Sequence, residues 1–373
     1  MKRILLVGGG SGGHVYPLVA VANALQKKAQ QAGVSIELMA LGEGKFLKRA
    51  ATEAGLKFKL VVSGKMRRYA SAFNLLDIFK LPVSFVQSLW HLYWFMPDAV
   101  FAKGGHASLM PAVAAKIFAI PLYIHETDSI PGQVNKFLGG LADKIFVSFP
   151  SSAKYFNAVK TVVTGNPVRS EIASGNRNAA LEFFKLDSSK KTIFVFGGSQ
   201  GAKVLNGLIM SSLLALTADY QIIHQCGEGN YSDMDVEIKR LTEEKANTLG
   251  EAIRKNYRLF AFLNANEMAF AYAAADIIIS RAGGSIFEMA MTGKPSIITP
   301  LEDSASDHQR QNAVEFSNYG AVIIEEQNLT THILLNELQN ILKPDNYAAL
   351  SQKIKQFAVP DAADRIAIEL LKF

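Results

Sequence analysis

Short runs of β-branched and apolar residues recur along the chain, separated by longer segments with apolar residues three and four apart. The runs fall at 4–7, 36–41, 99–102, 122–125, 144–147, 193–196, 220–224, 277–280 and 296–299, and segments such as 18–32 and 203–216 carry the helical spacing. This alternation predicts an α/β fold, with parallel sheets covered by helices on both faces. Two runs pass straight into glycine-rich turns that open helices, ILLV into GGGSGGH and IFVF into GGSQGA. Two such beginnings predict two Rossmann-like halves. The turn formers Thr164-Gly165-Asn166-Pro167 mark the joint between them. The expected domains are therefore 1–165 and 166–360, with the last helix, 361–373, too short to stand alone and packed back on the first.

Length agrees with this division, because 373 residues exceed the size at which a single core stops growing. Hydrophobic residues at 49% and charged residues at 19% fit a globular chain and exclude disorder. The single cysteine, Cys226, excludes an internal disulfide framework and suits a reducing, cytoplasmic setting. The opening MKRILLV resembles a signal peptide only superficially, since its apolar run of four is too short for an export signal and reads as a buried strand. The formal charge of +6 fits an anionic partner such as a diphosphate or an anionic lipid. Basic residues are scattered, without the basic and aromatic runs of a nucleic-acid footprint, so nucleic acid is not expected as a partner.

Gly8, Gly10 and Gly13 satisfy G-x-G-x-x-G after a strand, a pattern whose usual ligand is a dinucleotide. Its physical content is wider: glycines admit close backbone approach, and N–H groups at a helix start favour an anion. A nicotinamide dinucleotide would also need an acid at the end of the second strand; Glu37 lies inside that strand, and Glu43 comes after Gly42, late for the role. A bare tight turn without a ligand is the remaining reading of the loop. His14 follows at its mouth, placed either to take a proton from a hydroxyl or to cap the helix. The second turn, Gly197–Gly201 by position, repeats the anion logic and adds the hydroxyl of Ser199. Arg169, at the joint, is suited to clamping a diphosphate or to a surface ion pair. A third unit runs from the strand at 277–280 into Gly283-Gly284-Ser285-Ile286 and reaches Glu288. That carboxylate can accept two ribose hydroxyls or cap its helix. Asp307-His308-Gln309-Arg310-Gln311-Asn312 sets amides one helical turn apart, as sugar hydroxyls require. No histidine spacing points to a metal.

The most hydrophobic stretch is 73–96. Pro82 is expected to break it, and Gln87, Ser88 and His91 interrupt the later half, so neither half is expected to cross a membrane. The part at 83–95 is expected to be a core-packing helix. Leu75, Leu76 and Phe79 lie just after the basic cluster Lys65, Arg67 and Arg68, a combination that suits contact with anionic lipid or a buried helix behind a basic loop.

Taken in order, GGGSGGHVYP, FAKGGHAS, HETDSIPGQVNK, TGNPVR, FGGSQGA, SRAGGSIFE and DHQRQNA resemble the MurG family of glycosyltransferases over nearly the whole chain. The resemblance implies a GT-B fold, with two Rossmann-like domains whose parallel sheets face a cleft. It implies inverting transfer of N-acetylglucosamine from UDP-N-acetylglucosamine to the muramoyl sugar of lipid I, giving lipid II for peptidoglycan. UDP-N-acetylglucosamine would be a substrate, with no cofactor, and the enzyme would sit peripherally on the cytoplasmic face of the membrane. By the same resemblance His14 would be the base. Ser11, Gly12 and Gly13 would line the donor or acceptor diphosphate, and Arg169 and Ser199 would neutralise the departing UDP. Glu288 would hold the ribose, Leu263 would lie near the uracil, and Gln309 and Asn312 would read the donor sugar. Gly284, Ser285 and Ile286 would join the donor site. Three positions depart from the family pattern. Asp128 stands where an asparagine is usual, His106 where a tyrosine is usual, and the turn at 283–285 is one residue short. The alternatives are another GT-B enzyme of UDP-sugars, such as a glycolipid glycosyltransferase or an epimerase, and a Rossmann oxidoreductase.

Overall fold

The computed structural model describes residues 1–10, 12–64, 72–198, 201–244 and 248–372. Strands β1 (Lys2–Gly9), β2 (Ile36–Glu43), β3 (Lys57–Leu60), β4 (Ala99–Ala102), β5 (Leu122–Glu126), β6 (Lys144–Val147) and β7 (Thr161–Val163) form one parallel sheet in the order β3-β2-β1-β4-β5-β6-β7. Strands β8 (Lys191–Phe196), β9 (Tyr220–Gln225), β10 (Tyr257–Phe260), β11 (Ile277–Ser280), β12 (Ser296–Ile298) and β13 (Val322–Ile323) form a second, in the order β10-β9-β8-β11-β12-β13. The α/β class with two parallel sheets is therefore what the chain adopts.

The central strands are apolar on both faces because helices cover both. In β1, Ile4 and Leu6 enter a core shared with the helix Gly12–Gln31, while Leu5 and Val7 enter a core on the opposite face. That period of two is the strand's own geometry. Strands β3, β7, β10 and β13 were not expected from the apolar runs. All four lie at the edges of their sheets and are only partly buried, so their sequences (KFKL, TVV, YRLF, VI) lack the continuous apolar signature.

The chain divides into two compact units, Met1–Arg169 with Val359–Phe373, and Ser170–Ala358. Asn166, Pro167 and Arg169 therefore belong to the first unit. The last helix, Ala362–Leu370, lies against Gly12–Gln31, with Ile366, Ala367 and Leu370 fully buried in the core of Leu18, Val21 and Leu25. Lys28 and Asp364 pair across this contact at 2.8 Å.

The expectation that Pro82 interrupts the hydrophobic stretch is incorrect. One helix runs through it, Ala72–Phe95. Proline removes one backbone hydrogen bond, but Pro82 is exposed, so water can solvate the carbonyl it leaves behind. Packing of Phe85, Leu89, Leu92 and Phe95 on the core holds the remainder in place. The expectation that 83–95 is a core helix holds for that face alone. Phe79, Val83, Val86, Trp90, Tyr93 and Trp94 form an exposed stripe at helical spacing on the other.

Candidate functional site

In each sheet the strand order reverses once, between β1 and β4 in the first and between β8 and β11 in the second. Helices following the two central strands leave in opposite directions at such a point, which opens a crevice at the carboxyl ends of the strands. Glycine turns follow all four of these strands: Gly8-Gly9-Gly10, Gly104-Gly105, Gly197-Gly198 and Gly283-Gly284.

In the first unit β1 and β2 run so close that a methyl group on Gly42 would lie 1.7 Å from the Gly8 carbonyl oxygen. His14 is the third residue of the helix Gly12–Gln31 and half-buried. A Cβ added at Gly105 would stand 3.8 Å from its Cδ2 and Nε2 and 3.6 Å from the Gly9 oxygen, so the β1 and β4 turns converge on this ring. Beneath them Lys103 is fully buried, its ammonium donating to Thr127 Oγ1, and the Thr127 hydroxyl donates to Asn166 Oδ1 at 3.4 Å. Glu126, also buried, accepts from the N–H groups of Asp128 (2.9 Å) and Gly132 (3.2 Å) and from Asn135 Nδ2 (2.9 Å). Burial, and then the Asp128 charge, pushes the Glu126 carboxyl up. Burial likewise pulls the Lys103 amine down, opposed by Glu126 and Asp128. His125 Nε2 donates to the Gly165 carbonyl at 3.1 Å, and burial holds the ring well below its ordinary pKa, in the neutral form. Arg169 is buried, with its guanidinium 3.9 Å from the centroid of the Tyr16 ring.

In the second unit a methyl group on Gly201 would meet the Cys226 carbonyl oxygen at 1.9 Å, so the glycine turn lies directly on the loop after β9. Buried Gln225 joins two parts of this region: Nε2 donates to the Gly198 carbonyl (3.2 Å) and Oε1 accepts the Leu263 N–H (3.0 Å). A second chain of bonds runs behind it. Asn206 Nδ2 donates to the Cys226 carbonyl at 3.0 Å, leaving its Oδ1 to accept from His224 Nε2 at 3.1 Å. His224 Nδ1 therefore accepts the Tyr257 hydroxyl, at 2.7 Å. Burial pushes His224 down to about 3, in keeping with this neutral tautomer.

After β11, Gly284 caps the helix Ser285–Thr292. Buried Arg281 pairs with Glu326 at 2.5 Å and donates to the carbonyls of Thr299 and Pro300, tying the ends of β11 and β12 together. Glu288 lies in the first turn of the helix and accepts from the Tyr272 hydroxyl at 2.9 Å. Asn312, nearly fully buried, donates to the Ala282 carbonyl of the same turn at 3.0 Å, and Gln309 Oε1 accepts the Leu301 N–H at 3.0 Å. Ser306 and Asp307, just before these amides, both sit at φ 56°, the strained left-handed region.

Comparison with known proteins agrees with this layout. Residues 4–147 match the model of the glycosyltransferase family 28 N-terminal domain, and residues 192–366 match that of its C-terminal domain. A UDP-N-acetylglucosamine--N-acetylmuramyl-(pentapeptide) pyrophosphoryl-undecaprenol N-acetylglucosamine transferase of Treponema pallidum (strain Nichols) is 35% identical over 381 residues, spanning 100% of this chain and 96% of that protein. The chain belongs to glycosyltransferase family 28.

Among solved structures, Acinetobacter baumannii MurG superposes with a TM-score of 0.70 at 25% identity, covering 100% of both chains. The UDP-GlcNAc 2-epimerase of Neisseria meningitidis, bound to UDP-GlcNAc, superposes with a TM-score of 0.68 at 16% identity, also covering 100% of both. That second likeness is one of fold alone. The two parallel-sheet domains of this family 28 glycosyltransferase are thus of the GT-B class. The oxidoreductase alternative also lacks its acid. Glu43 accepts from the N–H and hydroxyl of Ser63, and Glu37 pairs with Lys57 at 2.6 Å and Arg3 at 3.5 Å.

Of the residues expected in the family 28 site, Gly12, Gly13, His14 and Asp128 fall around the first crevice. Leu263, Gly284, Ser285, Ile286, Glu288, Gln309 and Asn312 fall in the second unit. The Ile286 side chain is fully buried and its N–H donates to Gly283, and the Leu263 N–H is held by Gln225. Ser11, Ser199, Lys65, Arg67 and Arg68 lie outside the described residues, as do the side chains of Leu75 and Leu76. Lys103, Glu126, Gln225 and Arg281 were missed. Each is a polar side chain at or just beyond the end of an apolar strand, and that was the available signal.

Proposed function

We propose that this glycosyltransferase transfers N-acetylglucosamine from UDP-N-acetylglucosamine to the muramoyl sugar of lipid I, with inversion at the anomeric carbon, forming lipid II. The acceptor hydroxyl attacks the anomeric carbon opposite the diphosphate. The new C–O bond forms as the bond to the β-phosphate oxygen breaks, UDP leaves with the electron pair, and His14 takes the hydroxyl proton. The observation that carries this reading is the pairing of glycine turns at both switch points, with His14 beside one pair and Glu288 one turn beyond the other.

In this reading the first unit binds the acceptor, with Gly12, Gly13 and Ser11 at its diphosphate. Buried Lys103 beneath the turns adds positive charge there. The second unit binds the donor. Helix starts at Lys203–Asp219 and Ser285–Thr292, with Ser199, offset the charge of departing UDP without a metal or cofactor. Glu288 takes the ribose, and Gln309 the sugar. Asn312 acts by holding the turn after β11. His14→Ala is expected to leave UDP-sugar binding intact while lowering turnover roughly 10²–10⁴-fold. Near-normal turnover in steady-state assays rejects the base role.

The enzyme meets the membrane through the exposed stripe of Ala72–Phe95. Among the described residues no helix is long and apolar enough to cross a membrane. A stripe of Phe79, Val83, Val86, Trp90 and Trp94 instead suits a helix lying in the interface, with tryptophans at headgroup depth.

A further inference from the structure

We infer that Tyr272 is a positioning residue that fixes the Glu288 carboxylate for recognition of the donor ribose, and so helps set the preference for ribonucleotides. The inference rests on the reading of Glu288 as the ribose acceptor.

Tyr272 lies in the helix Ala265–Ala274 and is fully buried. Its ring stands edge-on to Phe194 and Phe196 of β8, at centroid distances of 5.4 and 5.9 Å and interplanar angles of 84° and 80°. Those contacts leave the ring one orientation, and the hydroxyl emerges at Glu288 Oε2, 2.9 Å away. The helix carrying it is itself fixed at its start by a capping box, in which Asn264 accepts from the Glu267 N–H and Glu267 from the Asn264 N–H. The phenol is thus a rigid donor built from β8 and a capped helix, aimed at a carboxylate on another helix.

A glutamate rotates freely about its last bond, and two vicinal hydroxyls are read well only when both oxygens face them. An ionised carboxylate has about four acceptor positions. The phenol holds Oε2, which orients the carboxylate for the 2′- and 3′-hydroxyls of a ribose. Without the phenol the carboxylate must be ordered by the ligand itself, at a cost in binding.

The test measures binding of UDP and of 2′-deoxy-UDP by calorimetry to the wild type, Tyr272→Phe and Glu288→Gln. Phenylalanine keeps the ring packing, so the fold is expected to survive, and a thermal melt checks this. For Tyr272→Phe the expected result is a preference for UDP over 2′-deoxy-UDP narrowed by roughly 3–10-fold, with affinity for 2′-deoxy-UDP, which keeps the 3′-hydroxyl contact alone, falling less than that for UDP. A purely structural role weakens both ligands equally and leaves the ratio intact, which overturns the inference. If Glu288→Gln collapses the ratio while Tyr272→Phe does not, Tyr272 is excluded and the Glu288 reading stands. If Glu288→Gln also leaves the ratio intact, the Glu288 reading fails and the inference with it.

Discussion

Replacing Trp90 and Trp94 together by serine tests the membrane contact at its most exposed point. The two rings are 62% and 64% exposed and touch edge-on, with centroids 5.6 Å apart, so neither supports the core. A tryptophan offers about 150–250 Å² to burial, so each ring has roughly 100–150 Å² still to lose from water. At about 25 cal/mol per Å², sinking one ring fully into lipid contributes roughly 3 kcal/mol, and half-immersion about half of that. Two half-immersed rings therefore account for about 3 kcal/mol, or roughly a hundredfold in partitioning. The assay is co-sedimentation with vesicles of anionic and of zwitterionic lipid, with thermal unfolding as the check on fold. Binding should drop on both vesicle types, because the lost contribution is apolar. Unchanged partitioning with an intact melt refutes the assignment of this face.

Two more expectations concern the second unit. Gln225→Glu cannot donate to the Gly198 carbonyl, so the KM for UDP-N-acetylglucosamine should rise about 5–30-fold while the KM for the acceptor stays put. An equal rise in both would contradict a role confined to the donor turn. His224 is held down to about 3 against an ordinary 6.5, so below pH 6.5 the unfolded chain binds a proton that the folded unit refuses. Stability present above that pH should drain as pH falls towards 3, by up to about 1.4 kcal/mol per pH unit from this group. Buried His125 contributes in the same direction in the first unit. In denaturant titrations across this range, His224→Gln should flatten the slope, and an unchanged slope removes His224 as its source.

The sheets were legible where strands are buried on both faces. Strands β1, β4, β8 and β11 show as apolar runs because their centres are buried on both faces and are almost wholly apolar, with Thr192 and Ser280 the small polar residues they admit, and glycine turns come within three residues of their ends. The edge strands were invisible for the complementary reason, since KFKL and TVV need satisfy only one face. Pro82 looks like a helix breaker in the sequence because the lost backbone hydrogen bond is costly when buried, and only the fold shows that the break faces water. The turns and His14 were legible as local sequence. The supports beneath them were not, because Lys103, Thr127 and Asn166 meet only once β4, β5 and the chain after β7 lie side by side. Tyr272 and Glu288 likewise belong to different helices, and only the fold brings phenol and carboxylate together.

Joining a donor sugar to a lipid-linked muramoyl acceptor is the activity proposed for this enzyme. Its most direct test is incubation of the protein with labelled UDP-N-acetylglucosamine and a lipid I analogue, resolving every labelled product. The expected products are label in a disaccharide-bearing lipid with an inverted glycosidic bond, and UDP released in equal amount. Free N-acetylglucosamine alone, or its 2-epimer, with no label in the lipid would contradict it.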